Sequence, residues 1–360
     1  MKNVFIIAEA GVNHNGSLVL AKKLIDAAVE AKADAVKFQT FDADALVCQN
    51  SPKATYQKIT TDSNESQYQM LKSLELSEAN QIDLHRYCGL KKILFMSSPF
   101  DTQSLKFLTQ QLNLPIIKIA SGEITNLPLL LKSAKSNKDI ILSTGMSTLS
   151  DIETALSILS FGYLSPHENR FPTTLELEKF YYSKQGQQTL LEKVSLLHCT
   201  SEYPAPYDEV NIRAINTIQN AFGLKTGYSD HTLGTAVSIA AVACGARIIE
   251  KHFTVDKTLP GPDHQASLLP HELNELVVGI RQVEQAMGHS RKIPAPSELK
   301  NRAIGRKSIV ALREIKQGEA LTQDNIGCKR PGTGASPMRL GSFLGASAKR
   351  NYEKDELIEI

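Results

Sequence analysis

The chain has 360 residues, 42% of them hydrophobic and 22% charged, and its 40 Lys plus Arg against 38 acidic residues leave a formal net charge of +2. These proportions are globular and exclude disordered and collagen-like classes, while the near-neutral balance gives no bulk electrostatic reason to bind nucleic acid or a membrane surface. At this length one core stops growing, so a large domain and a small one are expected.

The apolar run from Val4 to Ala8 meets Glu9 after five residues. That is too early for a signal sequence or a membrane span, so the run reads as a first strand over residues 4–9 and the protein as cytoplasmic. Ser17 then stands as N-cap of a helix whose apolar residues recur at three- and four-residue intervals. Further strands are expected over residues 35–39, 93–98, 116–121, 140–144, 194–200, 226–229 and 248–252, with Asp101 capping a helix over 104–111. A hydrophilic insert, 161–186, reads as a surface excursion without a role. Beyond a helix ending near Met287, the segment 291–301 is rich in charge and carries Pro294 and Pro296, the composition of a linker. Short strands and turns fill the remainder. The expected division is a barrel over 1–288, a linker over 289–303 and a small domain over 304–360. Five scattered cysteines, odd in number and without CxxC spacing, argue against a disulfide framework and fit a reducing compartment.

Eight short β-branched runs alternating with amphipathic stretches predict a closed (β/α)8 TIM barrel. An open doubly wound sheet is the alternative, but no Gly-x-Gly-x-x-Gly follows any strand. In a barrel the C-terminal strand ends meet on one rim. The polar residues fall there: Glu9; Lys37 and Gln39; Ser97 and Ser98; Lys118 and Ser121; Ser143 and Thr144; His198, Thr200 and Ser201; Ser229 and His231; Glu250 and His252. Lys37 and Lys118 sit between apolar neighbours, where an unpaired charge is expensive, so each needs an anionic partner, a carboxylate or a bound phosphate. Ser121-Gly122 and Ser143-Thr144-Gly145 let backbone and hydroxyl groups approach such an anion. His231 and His252 close adjacent strands, each beside a carboxylate (Asp230, Glu250) able to orient its ring. Either imidazole could be satisfied by local backbone. As a pair they suit a labile Mn2+ or Mg2+ with open positions better than structural zinc.

The segments Glu9-Ala-Gly-Val-Asn-His14-Asn-Gly, Val36-Lys37-Phe38-Gln39-Thr40, Ile119-Ala-Ser121-Gly-Glu123, Leu142-Ser143-Thr144-Gly-Met146, His198-Cys-Thr-Ser-Glu-Tyr203-Pro, Gly227-Tyr-Ser-Asp-His231-Thr and Glu250-Lys-His252-Phe-Thr resemble the sialic acid synthase family through the whole chain. The resemblance implies a TIM barrel followed by a small antifreeze-like (SAF) domain, in a domain-swapped homodimer. It implies condensation of phosphoenolpyruvate with an N-acetylated hexosamine, typically N-acetylmannosamine, and water, giving N-acetylneuraminate and phosphate. It places a divalent metal, Mn2+ first with Mg2+ or Co2+ as alternatives, on His231 and His252. Glu9 would hold a metal-bound water or move protons as water adds to the enolpyruvyl C2. Lys37, Ser98, Lys118, Ser121, Ser143, Ser201 and Ser229 match positions that cradle phosphoenolpyruvate. Gln39, Glu123, Tyr203 and Asp263 match positions near the sugar, and Arg330 would reach the sugar in a partner chain. Ser98 stands where threonine is common and Ser201 where asparagine or threonine occurs; both keep a short hydrogen-bonding side chain.

The segment 260–267 is similar to members making N-acetylneuraminate or N,N'-diacetyllegionaminate, the latter from 2,4-diacetamido-2,4,6-trideoxymannose, while Ala10-Gly11 and Glu65-Ser66-Gln67 lean to the latter. Two other readings stand beside these. One is a non-catalytic glycan-binding protein whose barrel is a scaffold. The other is a condensation of phosphoenolpyruvate with a sugar phosphate, against which no second phosphate cluster is evident.

Overall fold

The computed structural model describes residues 3–62 and 65–359. Two compact units divide between Gly288 and His289. The first carries eight parallel strands: β1 Phe5–Gly11, β2 Ala35–Thr40, β3 Leu94–Pro99, β4 Ile116–Ile119, β5 Asp139–Ser143, β6 Val194–Cys199, β7 Lys225–Asp230 and β8 Ile248–His252. Their hydrogen-bonded order, β3-β2-β1-β8-β7-β6-β5-β4, places β3 and β4 at the two ends, and contact between those two closes the ring. This is the expected TIM barrel. A helix returns from each strand to the next, and the capping expected from sequence operates: the Ser17 hydroxyl accepts from the Leu20 amide, and the Asp101 carboxylate from those of Gln103 and Ser104.

Two apolar layers hold this wall. The larger fills the space between strands and surrounding helices. The smaller lies among alternate strand residues, Ile7, Ala35, Met96, Ile141, Leu197 and Ile248, with Phe5, Leu94 and Ile116 packed on it. Because side chains alternate along a strand, the residues two positions beyond these share their side of the sheet. They are Glu9, Lys37, Ser98, Lys118, Ser143, Cys199 and Glu250. One sequence pattern thus builds an apolar plug and a polar layer next to it. Gly227 belongs to the crowded part: a Cβ there would stand 2.3 Å from the Ile248 carbonyl and 2.7 Å from Leu197 Cδ2.

On the other side of the sheet, the ends of β7 and β8 are tied by a buried ion pair. Lys251 Nζ lies 3.0 Å from Asp230 Oδ2, with 1% and 0% of the side chains exposed. Asp230 also accepts from Tyr228 Oη, from the Thr232 amide and hydroxyl, and from Ser238 Oγ.

The segment 161–186 is more ordered than an excursion. Its start continues the helix Leu149–Leu164, and a further helix, Thr174–Tyr181, sets Phe180 edge-on against buried Phe161 at 5.1 Å. The stretch expected as linker carries a helix, Pro296–Gly305, opened by proline at its first turn. The small unit pairs β9 Ser308–Ala311 with β10 Ile326–Lys329 antiparallel, around Ile309, Leu321, Phe343 and Tyr352.

Replacing Asp230 by Ala would strand the Lys251 ammonium and three hydroxyls in a dry wall. The expected loss is about 3–5 kcal/mol of barrel stability, read as a fall in the urea midpoint of the first unit; an unchanged midpoint would show that the pair contributes nothing.

Candidate active site

The strand ends of the barrel surround a cavity of about 530 Å³, within the range of small-molecule sites. Every position given a catalytic, substrate-binding or metal role from the resemblance, except Arg330, lines it: Glu9, Lys37, Gln39, Ser98, Lys118, Ser121, Glu123, Ser143, Ser201, Tyr203, Ser229, His231, His252 and Asp263, whereas Ser97, Thr144, His198 and Thr200 of the expected rim do not. Arg330 is exposed on the small unit.

The floor is a network of four buried charges. Lys37 Nζ faces Glu9 Oε2 at 2.8 Å and Glu250 Oε2 at 3.7 Å, and neither of those oxygens has a directed hydrogen bond. Lys118 Nζ lies 3.3 Å from Glu250 Oε1, which also accepts from Ser229 Oγ at 2.9 Å. Each ammonium then donates to a hydroxyl, Lys37 to Ser98 and Lys118 to Ser143. The two carboxyls part in their proton affinity. Burial drives Glu9 up to about 7, with Lys37 only partly offsetting it, whereas at Glu250 the burial penalty is outweighed by Lys118 and Lys37, which hold it at about 2. Burial lowers Lys118, while at Lys37 Glu250 and Glu9 outweigh burial and raise it.

Beside the floor is a hydroxyl cradle. Ser121 Oγ accepts from the Gly145 amide at 3.0 Å and lies 3.4 Å from Cys199 Sγ, with Ser201 Oγ at 3.9 Å from the same sulfur. There is no room for a side chain at residue 145, where a Cβ would meet Ser201 Oγ at 2.3 Å and Ser121 Oγ at 2.8 Å.

Two imidazoles complete the site. The rings of His231 and His252 lie 5.6 Å apart between centroids, and Tyr203 stacks on His231 at 4.0 Å. His231 Nδ1 bonds to the Thr200 carbonyl at 2.6 Å, while Nε2 stands 3.5 Å from Ser229 Oγ. His252 Nδ1 is buried without a hydrogen-bond partner, 3.7 Å from Asp263 Oδ2. Burial holds His252 well below the ordinary histidine value, hence neutral, and pushes Asp263 up to about 6. A neutral imidazole with an orphaned nitrogen fits a metal ligand. Among the described residues, no group of three or more His, Cys, Asp or Glu side chains is arranged to hold a metal ion. The pair therefore fits a cation that takes its remaining ligands from oxygens outside those side chains.

The chain matches the NeuB family over residues 24–292 and the SAF domain over residues 306–359. It belongs to the NeuB family. The expected resemblance and the expected pairing of barrel and small module are both borne out. Among relatives of this NeuB protein, an N,N'-diacetyllegionaminic acid synthase of Campylobacter jejuni is 49% identical, covering 99% of each chain. A synthase of the same name from Legionella pneumophila is 44% identical over 96% of this chain and 91% of that one. The crystal structure of an N-acetylneuraminic acid synthetase from Leptospira borgpetersenii has a TM-score of 0.67 at 35% identity, covering 83% of this chain and 90% of that one.

Two details of the NeuB site correct the sequence reading. Asp230 does not orient the His231 ring; its carboxylate is consumed by Lys251, and the Thr200 carbonyl holds the imidazole. His198, expected on the rim, instead bonds the Val210 carbonyl and stacks on Tyr228 at 5.8 Å. Three lining groups escaped the sequence assignment. Glu250 entered only as a neighbour of His252, although the two-residue spacing places both on one side of β8. Cys199 carried no signal beyond its alternation with Leu197. The apolar segment between β2 and the helix Glu78–Lys91 lies outside every strand end.

Gly145→Ala is expected to raise the dissociation constant for phosphoenolpyruvate roughly tenfold, about 1.4 kcal/mol, by pushing Ser121 and Ser201 apart. Isothermal titration calorimetry checks this; unchanged affinity would remove the cradle from the anion site.

Proposed function

We propose that the chain condenses phosphoenolpyruvate with 2,4-diacetamido-2,4,6-trideoxymannose and water, giving N,N'-diacetyllegionaminate and phosphate. N-acetylmannosamine and N-acetylneuraminate, the leading expectation from sequence, give way because the relatives at 49% and 44% identity are both diacetyllegionaminic acid synthases. The observation that carries the reaction class is one cavity holding Lys37, Lys118 and a hydroxyl cradle together with two imidazoles, His231 and His252, of which burial holds His252 neutral. A non-catalytic glycan-binding role leaves that buried charge without a purpose.

Lys37 and Lys118 bind the phosphate and carboxylate of phosphoenolpyruvate, with Ser98, Ser121, Ser143, Ser201 and Ser229 supplying short hydrogen bonds. Gln39, Glu123, Tyr203 and Asp263 border the acceptor. The acceptor role of Arg330, a homodimer and a cytoplasmic site of action belong to the same proposal; among the described residues no helix is long and apolar enough to cross a membrane. A divalent cation on His231 and His252, Mn2+ first, would supply Lewis-acid polarisation of the acceptor aldehyde. Carbon 3 of the enol forms the new bond to the aldehyde carbon, whose oxygen takes a proton. Water then adds at C2, its oxygen becoming the ketone as the bond from C2 to the phosphate oxygen breaks, and its two protons end on the new hydroxyl and on phosphate. Glu9, raised to about 7 by burial, is suited to accept the proton of that water near neutral pH.

Steady-state kinetics with the two acceptor sugars, at fixed phosphoenolpyruvate, test the reading. The diacetamido sugar is expected to have the larger kcat/KM by roughly tenfold or more, and a preference for N-acetylmannosamine would reinstate the N-acetylneuraminate reading. Chelation should abolish turnover and Mn2+ restore it. His252→Ala should lower kcat at least about 100-fold, an effect of about 2.7 kcal/mol, with little change in the thermal unfolding curve. Full activity after exhaustive chelation, or a variant that merely unfolds, would return the two imidazoles to a structural role.

A further inference from the structure

One face of the cavity takes no part in the condensation chemistry. Between β2 and the helix Glu78–Lys91 the chain forms short helices, Ala43–Leu46, Thr55–Thr60 and Gln67–Leu74. Leu46, Met70, Leu71 and Leu74 from this segment line the same cavity as Lys37 and His252. They form a surface packed in place. Met70 and Leu74 are buried in an apolar cluster with Val12 and Phe41, and Leu46 and Leu71 lie against it, only partly buried. The segment also keeps its charge to itself. Lys53, 5% exposed, spends its ammonium on Thr61 Oγ1 at 2.7 Å, on the Asp62 carbonyl and on Glu65 Oε1 at 3.0 Å. The segment also brings Tyr56, Gln57 and Gln67 to the lining; Gln57 Oε1 accepts from the Ala54 amide, and its Nε2 donates to Tyr56 Oη at 3.4 Å.

A wall of this kind discriminates by chemistry. A sugar hydroxyl turned to the leucines loses its water and gains no partner from them, whereas a methyl group gains contact. The geometry points to Leu46 and Leu71, backed by Met70 and Leu74, as the residues that select the acceptor, receiving the C6 methyl and the 4-acetamido methyl and disfavouring hydroxyls at C4 and C6. This rests on the acceptor class proposed above. It adds that the choice is made by the β2 excursion and not by the strand ends.

The test compares kcat/KM of the full chain for three acceptors: 2,4-diacetamido-2,4,6-trideoxymannose, 2-acetamido-2,6-dideoxymannose and N-acetylmannosamine. Leu46→Asn and Leu71→Asn keep the side-chain shape and add hydrogen-bonding groups. In each, the preference for the first sugar over the third should fall at least about tenfold, the scale of one methyl group in a hydrophobic pocket. The middle sugar, which keeps the C6 methyl but carries a C4 hydroxyl, shows which methyl each leucine meets. Leu46→Met and Leu71→Met should keep the wild-type preference, which a loss through general misfolding would not. If thermal unfolding shows an asparagine variant to be misfolded, Leu46→Ala and Leu71→Ala read the same ratio. A wild type that prefers the diacetamido sugar, with the ratio unmoved in the folded variants, overturns the wall alone. A wild type that prefers N-acetylmannosamine overturns the acceptor reading and the wall with it.

Discussion

Four charges that water barely reaches set the terms for the rest of the molecule. Glu9, Lys37, Lys118 and Glu250 are each at most 4% exposed, and burying an ion is repaid only when its partners are close and its remaining hydrogen bonds are made. The barrel supplies that closeness through register. Glu9 pairs across the sheet with Lys37 on one side and with His252 on the other, and Ser229 stands opposite Glu250. A slip of one residue in β1, β2 or β8 would turn a charge into the apolar layer outside and leave its partner unpaired. The site and the barrel are thus one constraint.

That constraint explains which parts of the site were legible in the sequence. Charged and hydroxyl residues closing apolar β-branched runs could be read because a strand has only two sides, and the polar residues of eight runs agreed with one another. The same rule, applied more strictly, separates Asp230 from Glu250. Asp230 is next to His231, so its side chain leaves on the opposite side of the sheet, where Lys251 meets it. Glu250 is two residues from His252 and shares its side, where it bridges both lysines. Proximity in sequence suggested a carboxylate for each ring; alternation brings only Glu250 to the ring's side, and there its oxygens face Lys37, Lys118 and Ser229.

The apolar wall was illegible for a different reason. Leu46, Met70, Leu71 and Leu74 lie on short helices whose placement depends on packing against Val12 and Phe41, long-range contacts that no local period announces. Lys53 was silent for a related cause: a lysine in a polar stretch reads as solvated, and only the folded loop shows its ammonium buried among loop acceptors. The helix in the expected linker is a milder case, since a proline at its first position begins a helix as readily as it breaks one.

The floor carries a further consequence for how an anion enters. With Glu250 ionised and Glu9 drawn toward protonation, the two lysines are not fully matched by the two carboxyls, and the balance is close to neutral or slightly positive. A phosphate or carboxylate arriving at Lys37 competes with Glu9 for the same ammonium, and losing that ion pair raises the proton affinity of Glu9 further. An anion on Lys37 therefore makes ionised Glu9 the stronger base for the proton that the addition of water releases. An anion at Lys118 meets the same kind of competition, there from Glu250 and Ser143. In the proposed reaction, an anion held by the two lysines would thus arrive beside the carboxyl proposed to take up the proton of water.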